Sequence, residues 1–492
     1  MKENWADNVE KEKKIHSVKY NFVMNFILSA SQFIFPLITF PYVSRVLLAE
    51  GNGKLAFVSS VVNYFLMLAS LGIPTYGIRA CAQIRDSKEK LSKTAHEILM
   101  INCATTVLVI ISYLFCIILI PRFQENRVLF LINGVNLLLN VVGMDWLYRA
   151  LEQYEYITIR SIAAKILGLV LMFIFVHEKD DYIIYGEITV FAAVGFNIFN
   201  FVRSRKYIDY KWYGNYEFRK HLKPILILFA QNLAVSIYTN LDTVMLGFMK
   251  TDCDVGYYNA AIKVKSILVS LVTSLGNVLL PRMSYLAKEK KHTEYMHTMA
   301  MALNATMLMS IPVTIYFCLY ASDAILLLAG EGYEGAIKAM QVITLSVVPI
   351  GLTGVLGIQV LTSLEKEKYV LYSVVVGALV DFALNMVLIP TSGATGAALA
   401  TVIAEFAVLV VQVIFTKSYL GEIKNNLRGY WYILLTIPSA IVAILIKNFD
   451  LNSFFRLLFS ACTFFGIYGL GLLIIREKIV INMLKGILKN KQ

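Results

Sequence analysis

Charge is scarce in this chain. Of 492 residues, 16% are charged and 58% are hydrophobic, where a soluble domain carries about 25% charged residues. That excludes an ordinary soluble globular protein. Cysteine is sparse and scattered. Cys81, Cys103, Cys116, Cys253, Cys318 and Cys462 are too far apart for a metal knuckle or a redox pair, and most lie in apolar stretches as ordinary core residues. No glycine-rich loop precedes a Lys-Ser or Lys-Thr pair, so ATP is not the expected energy source. The histidines, His16, His96, His177, His221, His292 and His297, fall in connections or near helix ends. The deep base that a membrane acyltransferase needs is missing. Large outer loops are missing too. The first, Ala49 to Lys54, cannot supply the acids and bases of a membrane glycosyltransferase, and the longest, Asp323 to Lys338, is an ordinary loop of about fifteen residues. These absences argue against an enzyme, and no metal or cofactor is expected.

What is present is hydrophobic length. The apolar residues fall into blocks of roughly twenty, the length that crosses a hydrocarbon core about 30 Å thick. In that medium the backbone must satisfy its own hydrogen bonds, so each block reads as a helix. The blocks are 20–48, 55–78, 97–120, 126–148, 157–177, 182–203, 223–249, 256–281, 298–320, 336–362, 369–390, 394–416, 428–447 and 454–475. The expected fold is all-α and polytopic, with about fourteen transmembrane helices. The stretch before Lys19 is charged, has no cleavage motif and precedes a block too long for a signal-peptide core, so the first block reads as a retained span.

Orientation follows from Lys and Arg in the short connections. With the N-terminus inside, inner segments hold about 32 cations and outer ones about 6, which places both termini in the cytoplasm of a cell membrane. The net charge of +12 then faces anionic lipid headgroups rather than nucleic acid.

The chain carries a weak duplication. Leu151, Glu152 and Tyr156 match Leu364, Glu365 and Tyr369 at a common offset, and Ser70-Leu71-Gly72 resembles Ser274-Leu275-Gly276. Six spans separate the copies, so both halves point the same way, a common transporter plan with the site between the halves. The expected organisation is a cytoplasmic segment 1–19, a six-helix bundle 20–203, a linker 204–222, a second pseudo-symmetric six-helix bundle 223–416, two additional helices in 417–475 and a cytoplasmic tail 476–492.

Polar residues form stripes inside these helices. Asn25, Ser29, Gln32, Pro36 and Thr39 share one face, as do Asn232, Ser236, Asn240 and Thr243, and likewise Asn259, Lys263, Ser266, Ser270, Thr273 and Asn277. Facing lipid they would be costly, so they read either as hydrogen-bond glue between helices or as walls of a wet cavity. Intramembrane charges are functional candidates by default. Arg45, Lys165 and Lys263 are candidate anion contacts, with Asn25, Gln32, Asn232, Asn240 and Asn259 as candidate cavity residues. Asp242 sits at a depth that allows an ion pair with Lys263, and Asp381 and Glu405 lie mid-span without an obvious cation. All three acids are candidates for coupling to protons or sodium.

Several runs resemble a known family. They are Phe35 to Asp86, the run from Trp146 (WLYRALEQYEYITIRSIAAKI), the run from Asp242 (DTVMLGFMKTDCDVGYYNAAIKVKS), and those starting at Leu275, Gly330 and Thr395. They are similar in order and content to bacterial polysaccharide repeat-unit flippases of the multidrug/oligosaccharidyl-lipid/polysaccharide exporter superfamily. One departure is visible. After Arg45-Val46-Leu47 the family often has glycine, and here Leu48 stands, which bears on the shape of the first outer turn. The resemblance implies a V-shaped pair of six-helix bundles and alternating access. It implies transport of a polyprenyl-pyrophosphate-linked oligosaccharide to the outer leaflet, beside the polymerase and glycosyltransferases of one pathway. A drug exporter of the same superfamily and a lipid-linked peptidoglycan precursor flippase remain open as alternatives.

Overall fold

The computed structural model describes residues 17–274 and 276–481, with the side chains of residues 18, 231, 232, 234, 235, 237, 238 and 276–278 left outside the description. No strand occurs among the described residues, and the protein is an all-α polytopic membrane protein. Ten stretches are long and apolar enough to cross a bilayer. Two of them, Lys19–Ala82 with 64 residues and Glu367–Asn426 with 60, are far longer than one crossing needs. Each contains a break and holds two spans.

The chain divides into two compact units. The first comprises residues 1–47 and 58–236, and the second residues 48–57 and 237–492. Helix α1, Val18–Ser70, starts with Ser17 accepting from the Tyr20 amide and is broken at Leu48, whose φ of 57° and ψ of −172° belong to neither helix nor strand. Glycine occupies that region readily and other residues do so under strain. The position where the resembled family often has glycine is therefore the one at which α1 breaks.

In the first unit α2, Ile73–Ala82, follows a second reversal at Leu71. Ser87 caps α3, Lys88–Leu119, and the short α4, Pro121–Glu125, turns into α5, Arg127–Gly143. Left-handed Met144 then restarts the chain as α6, Asp145–Ala150, before α7, Tyr154–Phe175. After a 3-10 turn come α8, Tyr182–Val190, a π-helical turn at Phe191–Gly195, and α9, Asn197–Ser204. Ile73, Leu91, Ile98, Trp146, Leu147 and Ile225 form an apolar core of this unit. The polar connection 204–222 is tied to the same unit. Glu97, fully buried, accepts from His221 Nε2 at 2.7 Å, the Glu217 amide at 2.8 Å and Lys220 Nζ at 3.1 Å.

Helix α10, Arg219–Met249, runs from the first unit into the second. The second unit continues with α11, Asp252–Thr273, α12, Gly276–Lys288, and α13, His292–Leu319. Then come α14, Ala321–Leu328, α15, Glu334–Thr344, α16, Val347–Thr353, and a π-helical stretch Gly354–Leu361. Helix α17, Glu367–Ile423, is broken at Gly393 with φ 51°. A Cβ at Gly396 would lie 2.1 Å from the Leu388 carbonyl oxygen, so the chain doubles back tightly at this break. Helices α18, Gly429–Ile446, and α19, Ser453–Ile474, complete the unit and pack on α13 through Tyr316, Tyr320, Ala443 and Phe464. With the two doubled stretches, and with α10 and α11 at 31 and 22 residues, the expected count of about fourteen crossings is met.

The duplication has a backbone counterpart. The Leu151, Glu152 and Gln153 amides donate to the Leu147, Arg149 and Tyr148 carbonyls. The Leu364, Glu365 and Lys366 amides donate to the Val360, Thr362 and Leu361 carbonyls, the same three bonds in the second copy. Both are Schellman caps with a glutamate in the left-handed position, at φ 56° and 58°. Tyr154 and Glu367, at the same spacing, start the next helices. Leu275, in the other sequence match, lies outside the described residues.

Burial runs opposite to that of a soluble protein. Phe22, Phe26, Leu108, Ile111, Phe115 and Ile118 are exposed, while Ser44, Glu97, Asn200, Ser373 and Asn385 are fully buried. An outer surface of this kind is suited to lipid, with polar groups satisfied inward.

Candidate functional site

The first site is an open cavity of about 330 Å³ in the first unit, lined by α1, α7, α8 and the π-helical turn after it. Gln32, Pro36 and Thr39 of the α1 stripe line it, so three of the five stripe residues share one opening. Lys165 enters from α7, donates to Ser31 Oγ at 2.8 Å and lies 5.8 Å from the Phe35 ring centroid. No carboxylate pairs with Lys165 among the described residues. Ser31 was not part of the expected stripe. It sits one residue off that face, is buried, and returns its own proton to the Leu28 carbonyl.

The second site is a buried polar cluster in the second unit. The Asp242 carboxylate on α10 accepts from the Tyr258 hydroxyl, from Thr401 Oγ1 at 2.8 Å and from Asn385 Nδ2 at 2.6 Å. These donors come from α11 and from both arms of α17. Asp381 lies against Asp242 and near Glu405 and Lys265, and is 1% exposed. Neither Asp381 oxygen receives a hydrogen bond among the described residues. Glu405 is also buried. The three acids singled out in the sequence are thus brought together.

Two expectations are corrected. Asp242 and Lys263 form no ion pair, because three uncharged donors on neighbouring helices already hold the Asp242 carboxylate. Asp381 does have a cation near it, although not from its own span, since Lys265, two residues on from Lys263, lies close enough to act on its charge. Tyr258, Asn385 and Thr401 were missed, yet Asn385 lies four residues after Asp381 and Thr401 four before Glu405. That spacing shares a helix face. Asp145 is held by Arg160 at 3.1 Å and by Asn200 Nδ2 at 2.9 Å.

The remaining candidates join neither site. Arg45 is exposed and donates to the Pro41 carbonyl at 2.5 Å. Asn25 is exposed, and Asn240, Asn259 and Lys263 are half-buried. The side chain of Asn232 lies outside the described residues.

An all-helical chain with a cation-bearing cavity and buried acids inside its spans defines a polytopic membrane transporter. The fold agrees. It matches a structure titled "Lipid II flippase MurJ, inward closed conformation" with TM-score 0.74 at 16% identity, over 93% of this chain and 100% of that one. It also matches an inward-facing multidrug resistance MATE family transporter of the MOP superfamily with TM-score 0.63 at 14% identity, over 80% and 96%. Residues 18–287 match the family model described as Polysaccharide biosynthesis protein, and the chain belongs to that family. Residues 165–464 also match the model described as Lipid II flippase MurJ. Among curated relatives, an Escherichia coli K12 protein named "Putative O-antigen transporter" is 24% identical over 82% of this chain and 97% of its own length. The chain is a transporter and not an enzyme.

Proposed function

We propose that this protein moves a polyprenyl-pyrophosphate-linked polysaccharide repeat unit from the cytoplasmic to the outer leaflet by exposing a cation-bearing cavity alternately to the two sides. Membership of the family supports a lipid-linked polysaccharide flippase. The observation that carries the finer reading is Lys165, an intramembrane ammonium that opens onto a cavity and whose hydrogen-bond partner among the described residues is a hydroxyl. A pyrophosphate and its sugars cannot cross hydrocarbon unaided, because burying unpaired charge and many hydroxyls costs far too much. A cation within the membrane offsets the anion, and stripe residues such as Gln32 replace water around the sugars. Lys263 and Arg45 are further anion contacts along the route. The polyprenyl tail stays in lipid.

The acidic cluster is the coupling element in this reading. A buried carboxylate with no donor, as at Asp381, takes up a proton or a sodium ion when the site closes. The protein sits in the cell membrane with both termini inside, as the distribution of cations requires. The glycosyltransferases that build the repeat unit and the polymerase that consumes it are its functional partners.

The match to the lipid II flippase model over 165–464 favours one second reading, a lipid-linked peptidoglycan precursor as cargo. Purified protein in liposomes tests both. A lipid-linked oligosaccharide and a lipid-linked muropeptide are supplied in parallel, scored by how fast an external enzyme reaches each headgroup, with a fluorescent organic cation as control. Movement of the oligosaccharide alone supports the proposal. Movement of the muropeptide alone transfers it to the second reading, and movement of the cation alone overturns both.

A further inference from the structure

A second cavity of about 350 Å³ lies in the first unit, lined by residues of α2, α3, α5, α6 and α9. Its size falls within the range of small-molecule sites. Its wall is shared about evenly by polar and apolar groups, where that of the Lys165 cavity is mostly apolar. Left-handed Met144 ends α5, so α6 restarts in a new direction and carries Trp146 and Arg149 into the lining. Gly77 sets the Trp146 ring, because a Cβ there would lie 2.8 Å from its atoms.

Three groups in this lining have no partner among the described residues. Trp146 Nε1 and Asn102 Oδ1 are both orphaned, in side chains only 5% and 4% exposed. Buried polar atoms are almost always paired, and a Trp N–H in particular finds an acceptor. Arg149 makes no hydrogen bond or ion pair, since Asp145 is occupied by Arg160. The residues of the wall thus carry a buried neutral donor, a buried neutral acceptor and an unused guanidinium, beside the Asp145 carboxylate that Arg160 holds. Thr75 adds a hydroxyl.

We propose that this cavity binds an anionic sugar, a hexose bearing a carboxylate or a phosphate. Its hydroxyls pair with Asn102 Oδ1 and Trp146 Nε1, and its anionic group pairs with the Arg149 guanidinium, whose planar fork matches either anion. A simple anion leaves the indole and the amide unsatisfied, and a neutral sugar leaves Arg149 unused. The proposal rests on the flippase reading only in naming the cargo headgroup as the natural source of the sugar.

The chain has four tryptophans, at 5, 146, 212 and 431. Replacing Trp5, Trp212 and Trp431 with Phe leaves the cavity indole as the sole reporter. The purified full-length variant is titrated with glucuronic acid, glucose 1-phosphate, glucose and inorganic phosphate, and its emission is recorded. The expected result is a saturable shift with one or both anionic sugars, absent with glucose and with phosphate alone. Which anionic sugar responds identifies the carboxylate or the phosphate. Arg149→Gln, retaining its thermal unfolding midpoint, should weaken that binding about tenfold or more. A response to phosphate alone, an equal response to glucose, or none to any probe overturns the proposal. This readout needs no flipping, so a chain that fails to move the glycolipid but binds the sugar refutes the transport reading and leaves this site standing.

Discussion

The buried acids show what one side chain controls. Tyr258 is fully buried and donates to Asp242, while also bonding Thr401 at 2.9 Å. Tyr258→Phe leaves a buried acceptor short of a donor, which costs about 1–3 kcal/mol. The expected outcome is a lower unfolding midpoint in detergent with flipping retained at low temperature. Asp381→Asn acts differently. It keeps the shape and removes the ionisable group, so downhill flipping should persist while acceleration by an imposed proton or sodium gradient disappears. Gradient-driven assays in liposomes measure this, and a mutant that still responds to both gradients removes Asp381 from the coupling proposal. At this scale the sequence was legible where charge is costly. Asp242, Asp381 and Glu405 stood out because acids are rare in spans, and they do gather. Their neutral partners did not stand out. Tyr, Thr and Asn are common in such helices, and only the tertiary packing selects which of them meet a carboxylate.

Elements are decided by backbone positions that the apolar pattern hides. Twelve of the fourteen blocks fall in apolar helical stretches long enough to cross a bilayer, because length and hydropathy are properties of a single segment. The breaks at Leu48 and Met144 follow from conformation rather than composition, and neither left-handed position is itself a glycine. Leu48 holds a conformation that costs of order 1–3 kcal/mol for a residue with a side chain. Leu48→Gly should therefore raise the unfolding midpoint, and a lowered midpoint would show that the turn relaxes in the membrane. The two glutamate caps give a paired test. Left-handed backbone costs a non-glycine residue roughly 1–2 kcal/mol. Glu365→Gly should gain most of that. Glu152→Gly should gain less, because Glu152 also accepts from Arg85 at 2.5 Å, a pair that glycine removes.

For the whole molecule, the sequence predicts which side each end occupies, through a bias in Lys and Arg that no single helix contains. A green fluorescent protein fused after residue 492 should be bright, and an alkaline phosphatase at the same place inactive. An active phosphatase would reverse the proposed orientation. The extent of the units was harder to read. The contact boundary falls within α10, and residues 48–57 pack with the second unit, where Gly53 and Gly256 let backbones approach closely. Such a division depends on which surfaces touch, and periodicity along the chain carries no record of it.

The matching caps at Glu152 and Glu365 bear on ancestry. The same three bonds also close helices at Lys290 and Arg476, so the cap by itself is a general helix end, and what sets Glu152 and Glu365 apart is their corresponding place in the two copies. An even number of crossings returns a chain to the side where it began. Two copies of such a piece can be fused head to tail through a short aqueous connection like 204–222, with no inserted helix and no inverted copy. The long transporter is therefore reachable from a half-length gene whose product paired with itself.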